Sequence, residues 1–207
     1  MSKPSDKISY IEHLSKDPIL KQVLDGQPER TINITDNVTL YLYSTIIMQQ
    51  LSNRVGEVLL QRFLDLFGGR APSSREVLAM PVENIRAIGV SVAKANYIKN
   101  IAQFDIDNGL DLQKLSKMSD DEVVEYITAI KGIGKWTAHL FLMAALGRED
   151  VFAFDDLILQ KHVESLYGLD RKDKKAFMEQ LHAITAKWSP YRTYASMHLW
   201  RWDGGKK

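Results

Sequence analysis

Apolar residues recur three to four positions apart along almost the whole chain, the spacing that lines one face of a helix. Strand-like alternation bounded by tight glycine turns is missing, so the pattern predicts an all-α fold. Asp17-Pro18 offers a cap and a first-turn proline for a helix through Leu24, and the polar stretch 25–31 then loosens the chain. Thr35–Asn37 caps the next helix. Its stripe of Leu40, Ile47 and Leu51 resumes after Gln49-Gln50 as Val55, Leu59, Phe63 and Leu66, and stops at Gly68-Gly69. One long helix fits this pattern, and so do two with a break near Gln50–Asn53. Ser73-Ser74-Arg75-Glu76 and Ser119-Asp120-Asp121-Glu122 are capping boxes, each opening a helix. Pro81 starts a short helix through Ile88, and Ser91 opens a longer one with a core stripe of Val92, Ala95, Ile98, Ile101 and Ala102. Further helices are expected over Trp136–Leu146, Leu157–Leu166, Asp173–Thr185 and Tyr191–Trp202. Short helices joined by tight caps predict two helical lobes: one spans about residues 36–130, the other combines the N-terminal segment with 131–207, and a cleft is expected at their junction.

Composition narrows the class without naming a function. The chain has 207 residues, 45% hydrophobic, which is an ordinary globular composition. Lys+Arg 27 against Asp+Glu 26 gives a net charge of +1, so any polyanionic partner must be met by a local basic face. The residues from Lys131 onward are mildly basic and the rest correspondingly acidic. There are no cysteines, which excludes disulfides, thiolate zinc sites and iron–sulfur clusters. The first ten residues lack an apolar leader segment, and no run of about 18 apolar residues occurs. The expectation is a soluble protein of the cytoplasm or nucleoid, or of the nucleus in a eukaryote, with a dispensable Lys206-Lys207 tail.

Candidate chemistry concentrates between Ile127 and Asp156. Gly132 and Gly134 let an anion approach the main chain, a helix N-terminus follows, and Lys131 and Lys135 add charge. Such a turn can hold one or two phosphates without reading bases. It serves equally well as a compact helix-to-helix connection. Asp155-Asp156 follows downstream, a carboxylate pair suited to general-base work or to capping the helix from Leu157.

The segment Ile130-Lys131-Gly132-Ile133-Gly134-Lys135-Trp136-Thr137-Ala138, followed by Asp150-Val151-Phe152 and Asp155-Asp156, resembles the helix-hairpin-helix superfamily of DNA glycosylases. So do Ile46 to Ser52, Ile85 to Gly89, Lys94 to Ile98, and Trp188 to Arg192 with His198-Leu199-Trp200, and the likeness is strongest to the 3-methyladenine DNA glycosylase II branch. The resemblance implies a helix-hairpin-helix at the cleft, with Lys131, Gly132, Ile133, Gly134, Lys135 and Thr137 on the DNA backbone. It implies Asp156 as the catalytic acid, with Asp155 at most a helix cap, and a base pocket of Trp136, Trp200 and Gln49. It places the duplex wedge at Gln50 or Leu51, leaving open which intercalates. Branches that also cut the backbone carry a lysine where this chain has Trp136. Tryptophan cannot form a Schiff base, so hydrolysis without strand cutting is implied.

The same resemblance implies double-stranded DNA with alkylated bases as partner, a monomer, no metal among the side chains, no iron–sulfur cluster, and at most a monovalent cation on hairpin carbonyls. Purines alkylated at N3 or N7 are cationic, which suits an aromatic pocket. The short N-terminal segment implies a compact form without an added β-domain. Trp188 and Trp202 are expected in core or rim packing, His198 near the pocket, and Tyr41, Tyr43 and Tyr194 are open candidates for lining it. A glycosylase for hypoxanthine or uracil, or a non-catalytic DNA-binding module using the hairpin alone, are the rival readings.

Overall fold

A computed structural model describes residues 9–204, which leaves residues 1–8 and the Lys206-Lys207 tail outside the described residues. Among them are thirteen helices and no strand: α1 Tyr10–Leu14, α2 Pro18–Leu24, α3 Val38–Met48, α4 Asn53–Asp65, α5 Ser74–Ala79, α6 Val82–Ala87, α7 Val92–Asn108, α8 Leu112–Ser116, α9 Asp120–Thr128, α10 Lys135–Ala144, α11 Leu157–Tyr167, α12 Lys174–Ala186 and α13 Arg192–Leu199. The all-α expectation holds. Local capping explains most boundaries. Asp17 accepts from the Ile19 and Leu20 N–H groups, Asn37 from Leu40, and both predicted capping boxes are closed reciprocally. Of the two readings for residues 38–66, the structure takes the broken one, with Gln49–Ser52 between α3 and α4. Helices α1 and α8, five residues each, carried too few periodic positions to be expected.

The chain forms two units. Residues 34–146 make up one, and the segment through Asn33 joins residues from Gly147 onward in the other. The boundary expected near residue 130 therefore falls after Leu146. The reason is packing, since α10 lies on α9 and on α3 and buries Ala138, Phe141 and Leu142 there.

In the unit of residues 34–146, α7 is the central element and packs on α3, α5 and α6. Ala95, Ile98, Ile101 and Ala102 are fully buried, each large apolar side chain contributing about 1.5–3 kcal/mol. Val92, expected in that stripe, is 49% exposed because it opens the helix ahead of the packed turns. Val55 is likewise exposed at the start of α4, whose buried face is Gly56, Leu59 and Phe63. Lysines on α7 close two neighbouring helices: Lys99 Nζ donates to the Leu78 carbonyl at 2.6 Å and to that of Met80, and Lys94 does the same for α3.

In the other unit, α2 packs on α1, α11 and α13. Asp17 ties the N-terminal segment in: its second oxygen accepts from Tyr167 Oη at 2.6 Å and from Trp188 Nε1 at 3.2 Å. Trp188 is fully buried, so of the expected core or rim packing it takes the core. Trp202 stands edge-on to the His162 ring, centroids 5.2 Å apart. Tyr43, an open pocket candidate, is instead a fully buried core residue of the 34–146 unit, hydrogen-bonded to Ser74 Oγ at 3.3 Å.

Candidate functional site

The hairpin is built by α9, the turn 129–134 and α10. Gly132 has φ of 110°, and a Cβ there would lie 2.3 Å from Tyr97 Cγ on α7, so only glycine fits. Asn100 on the same helix donates to the Lys131 carbonyl at 3.0 Å. Tyr97 and Asn100 thus seat the turn from below, while Ile130 and Ile133 point into the core. The outer side carries Lys131, Gly134 and Lys135, all exposed, and a Cβ at Gly134 would meet nothing within 4 Å.

The chain contains a second turn of the same kind. Gly89, with φ of 116°, stands between buried Ile88 and Val90, and Ser91 caps α7 much as Gly134 caps α10. The difference lies in the cap. Ser91 Oγ accepts from the Lys94 N–H at 3.2 Å, whereas α10 begins on glycine with no side-chain cap. A helix N-terminus that begins on glycine without a side-chain cap is the kind of end at which anions bind. Thr137 is only 2% exposed and its Oγ1 accepts from Gln49 Nε2 at 3.4 Å, so its hydroxyl faces the interior rather than the basic outer face. Ile133 is 5% exposed, its side chain packed inside.

Between α3 and α4 the chain turns sharply at Gln49 to Ser52. Gln50 and Leu51 are both exposed, and Gln50 has φ of 60°, the sole positive value among described non-glycine residues. A side chain held in this region costs of order 1 kcal/mol and persists where the surroundings impose it. Gln49 is half-buried, bonded to Thr137 as above, and its carbonyl accepts from Lys94 Nζ at 2.6 Å. Trp136, in the first turn of α10, is 37% exposed.

Asp156 belongs to the other unit and is 5% exposed. Its Oδ1 accepts from the Ile158 and Leu159 N–H groups at 2.8 and 2.9 Å, and its Oδ2 from Trp200 Nε1 at 3.3 Å. Asp156 is therefore itself the N-cap of α11, while Asp155 is exposed and takes no capping role. Of the two readings of the acid pair, capping falls on Asp156, the residue to which the resemblance assigns the chemistry.

The approach to Asp156 is pinned from α13. Arg192 grips Asp150 through Nε at 2.7 Å and Nη2 at 3.0 Å, and Ser189 Oγ donates at 2.7 Å. Burial pushes the Asp150 carboxyl up, but the Arg192 and Ser189 hydrogen bonds and the guanidinium charge outweigh it and hold it below the usual range. Thr193 fixes the following residues, accepting from the Val151 N–H at 3.1 Å and donating to the Arg148 carbonyl at 2.6 Å.

His198 is fully buried, its Nε2 3.3 Å from Tyr10 Oη, and desolvation with the Arg30 charge lowers its pKa to about 4. It belongs to a packed cluster in which Tyr10 stacks on Tyr194 at 4.2 Å, and Tyr194 donates to Glu149. Tyr41, the remaining open candidate, donates to the Leu140 carbonyl at 3.2 Å. The supporting residues Lys94, Tyr97, Asn100 and Arg192 had no role in the sequence reading. For Lys94, Tyr97 and Arg192 the only signal was their place in the segments that carry the family resemblance.

No described helix is long and apolar enough to cross a membrane, and no three described His, Asp or Glu residues gather as side-chain metal ligands. Hairpin carbonyls already serve as acceptors, Lys131 for Asn100 and Ile130 for the Ile133 N–H at 3.0 Å. Each keeps a second lone pair, and a cradle of neutral carbonyls suits a singly charged ion.

Among proteins of known function, the chain is 31% identical over 162 residues to DNA-3-methyladenine glycosylase 1 of Schizosaccharomyces pombe, covering 77% of this chain and 70% of that protein. Its structure is similar to that of a DNA-3-methyladenine glycosidase from Bacillus halodurans, with a TM-score of 0.79, 31% identity, and coverage of 100% of this chain and 94% of that one. A Schizosaccharomyces pombe 3-methyladenine DNA glycosylase in complex with abasic DNA matches with a TM-score of 0.80 and 27% identity, covering 96% and 99% of the two chains. The signature described as HhH-GPD superfamily base excision DNA repair protein matches residues 43–187, which hold the hairpin, the Gln49–Ser52 turn and Asp156, and the chain belongs to that superfamily.

Proposed function

We propose that the protein is a monofunctional DNA glycosylase that hydrolyses the N-glycosidic bond of alkylated purines and leaves an abasic site. The observation that carries this reading is Asp156, a buried carboxylate whose two oxygens are aimed by the α11 N-terminus and by Trp200. The relatives named 3-methyladenine glycosylases, one of them bound to abasic DNA, support the substrate class.

The exposed main chain at Gly134 and the ammonium groups of Lys131 and Lys135 bind backbone phosphates, without regard to sequence. Carbonyls of the 130–134 turn are the groups that would hold a monovalent cation, which would add positive charge beside a phosphate. Gln50 or Leu51 enters the duplex as a base leaves the stack. Trp136 and Trp200 offer aromatic faces to a cationic purine. As the N-glycosidic bond breaks, its electrons go to the base and neutralise the alkylated ring. The sugar gains oxocarbenium character, which the Asp156 carboxylate stabilises. Water attacks the anomeric carbon and passes a proton to Asp156. With Trp136 rather than an amine in the hairpin, no Schiff base forms and the backbone stays intact.

The test is to incubate the protein with N-methyl-N-nitrosourea-treated DNA and identify the released bases. Release of 3-methyladenine and 7-methylguanine, with strand breaks only after alkali, is the expected result. Preferential release of hypoxanthine or uracil from suitable duplexes would shift the substrate class, and DNA binding with no base release would reduce the protein to a binding module.

A further inference from the structure

The reversal between α3 and α4 is closed by the Leu51 N–H donating to the Met48 carbonyl at 3.1 Å. Gln49 at φ −49°, ψ 132° and Gln50 at φ 60° make it a type II turn, whose third position normally carries glycine. Types I and II differ by a flip of the central peptide. The flip exchanges the sides on which the Gln49 carbonyl and the Gln50 N–H stand, and type I would let Gln50 take an unstrained negative φ. Some group must hold that carbonyl in place. Lys94 Nζ does so, donating to the Gln49 carbonyl at 2.6 Å and to the Ile47 carbonyl at 2.9 Å. Lys99, five residues further along the same helix, caps α5 in a similar way, but Met80 there has φ −66° and no strained neighbour. Capping alone therefore does not account for what Lys94 does.

We infer that Lys94 is a positioning residue for the DNA wedge: its grip on the Ile47 and Gln49 carbonyls selects the type II turn and so aims the exposed Gln50 and Leu51 side chains. This rests on the wedge role proposed above. In Lys94→Met, which keeps the stem and loses the donors, the Gln50 backbone chemical shifts should move from left-handed to right-handed values. Single-turnover release of 7-methylguanine from duplex DNA should fall on the order of 10-fold to 10²-fold, the effect of a small misplacement. Lys94→Arg, which can donate to both carbonyls, should keep both properties. Gln50→Gly should melt higher than Gln50→Ala, since glycine alone accepts the positive φ without strain, and this comparison decides the turn type even if Lys94→Met does not fold. The inference is overturned if Lys94→Met retains left-handed Gln50 shifts, if the shifts change while base release does not, or if Gln50→Gly gives no gain over Gln50→Ala. Wild-type protein that releases no base would overturn the proposed function instead; the shifts would still decide whether Lys94 sets the turn, and the melting comparison its type.

Discussion

Asp156 combines two jobs that substitutions can separate. Asparagine caps helices about as well as aspartate, whereas alanine cannot. Asp156→Asn should keep the melting temperature close to wild type and slow base release on the order of 10²-fold or more, because the charge that meets the oxocarbenium is gone. Asp156→Ala should lose activity and also about 1 kcal/mol of stability in urea denaturation. A full-rate Asp156→Asn enzyme would remove Asp156 from the chemistry and leave it a cap. The bond from Trp200 to Asp156 belongs to this scale as well. It gives an aromatic assigned to the base pocket a second role, orienting the acid, which no spacing rule connects across a separation of 44 positions.

The hairpin is an element whose parts come from three helices. Its glycines and lysines are contiguous in sequence, but the Tyr97 ring that fills the space beside Gly132 and the Asn100 amide on Lys131 come from α7. Gly132→Ala combines a disfavoured φ with a clash at 2.3 Å, and should cost more than the usual 0.5–1 kcal/mol of a helix glycine change. It should weaken DNA binding along with stability. Gly134→Ala is the contrast: its φ of −99° is ordinary and no protein atom lies within 4 Å, so stability should hold while a phosphate loses room. Replacing Lys131 or Lys135 by Gln should lower affinity evenly across DNA sequences and reduce the slope of log affinity against log salt by about 1 per charge, measured by fluorescence anisotropy.

At the scale of the whole molecule, one buried group makes stability depend on pH. His198 has a folded pKa of about 4 against an ordinary 6.5, so the unfolded chain binds the extra proton first as pH falls. Its contribution is fully present above pH 6.5 and is lost as pH drops from 6.5 towards 4. In urea titrations at pH 7 and pH 4.5, the wild type should therefore lose stability relative to His198→Gln on acidification. Equal losses in both would mean that His198 is protonated in the folded protein.

What the sequence by itself determined was local. The caps at Asp17, Asn37, Ser73 and Ser119, the glycine turn before α10 and the helical period are all written in stretches of a few residues, and the structure realises each of them. The meaning given to Trp136, in place of an amine, came through the family resemblance, which supplies the lysine it is compared with. The tertiary structure alone decided that residues 131–146 group with residues 34–130, because that depends on which faces of α9 and α3 bury Ala138 and Phe141. It also decided that Asp156 is the cap, that Tyr43 is core, and that Lys94 reaches back some 45 residues to the Gln49–Ser52 turn. Hydrogen bonds and burial of this kind join positions far apart in the chain, and neither the period nor the spacing of a sequence records which distant groups will meet.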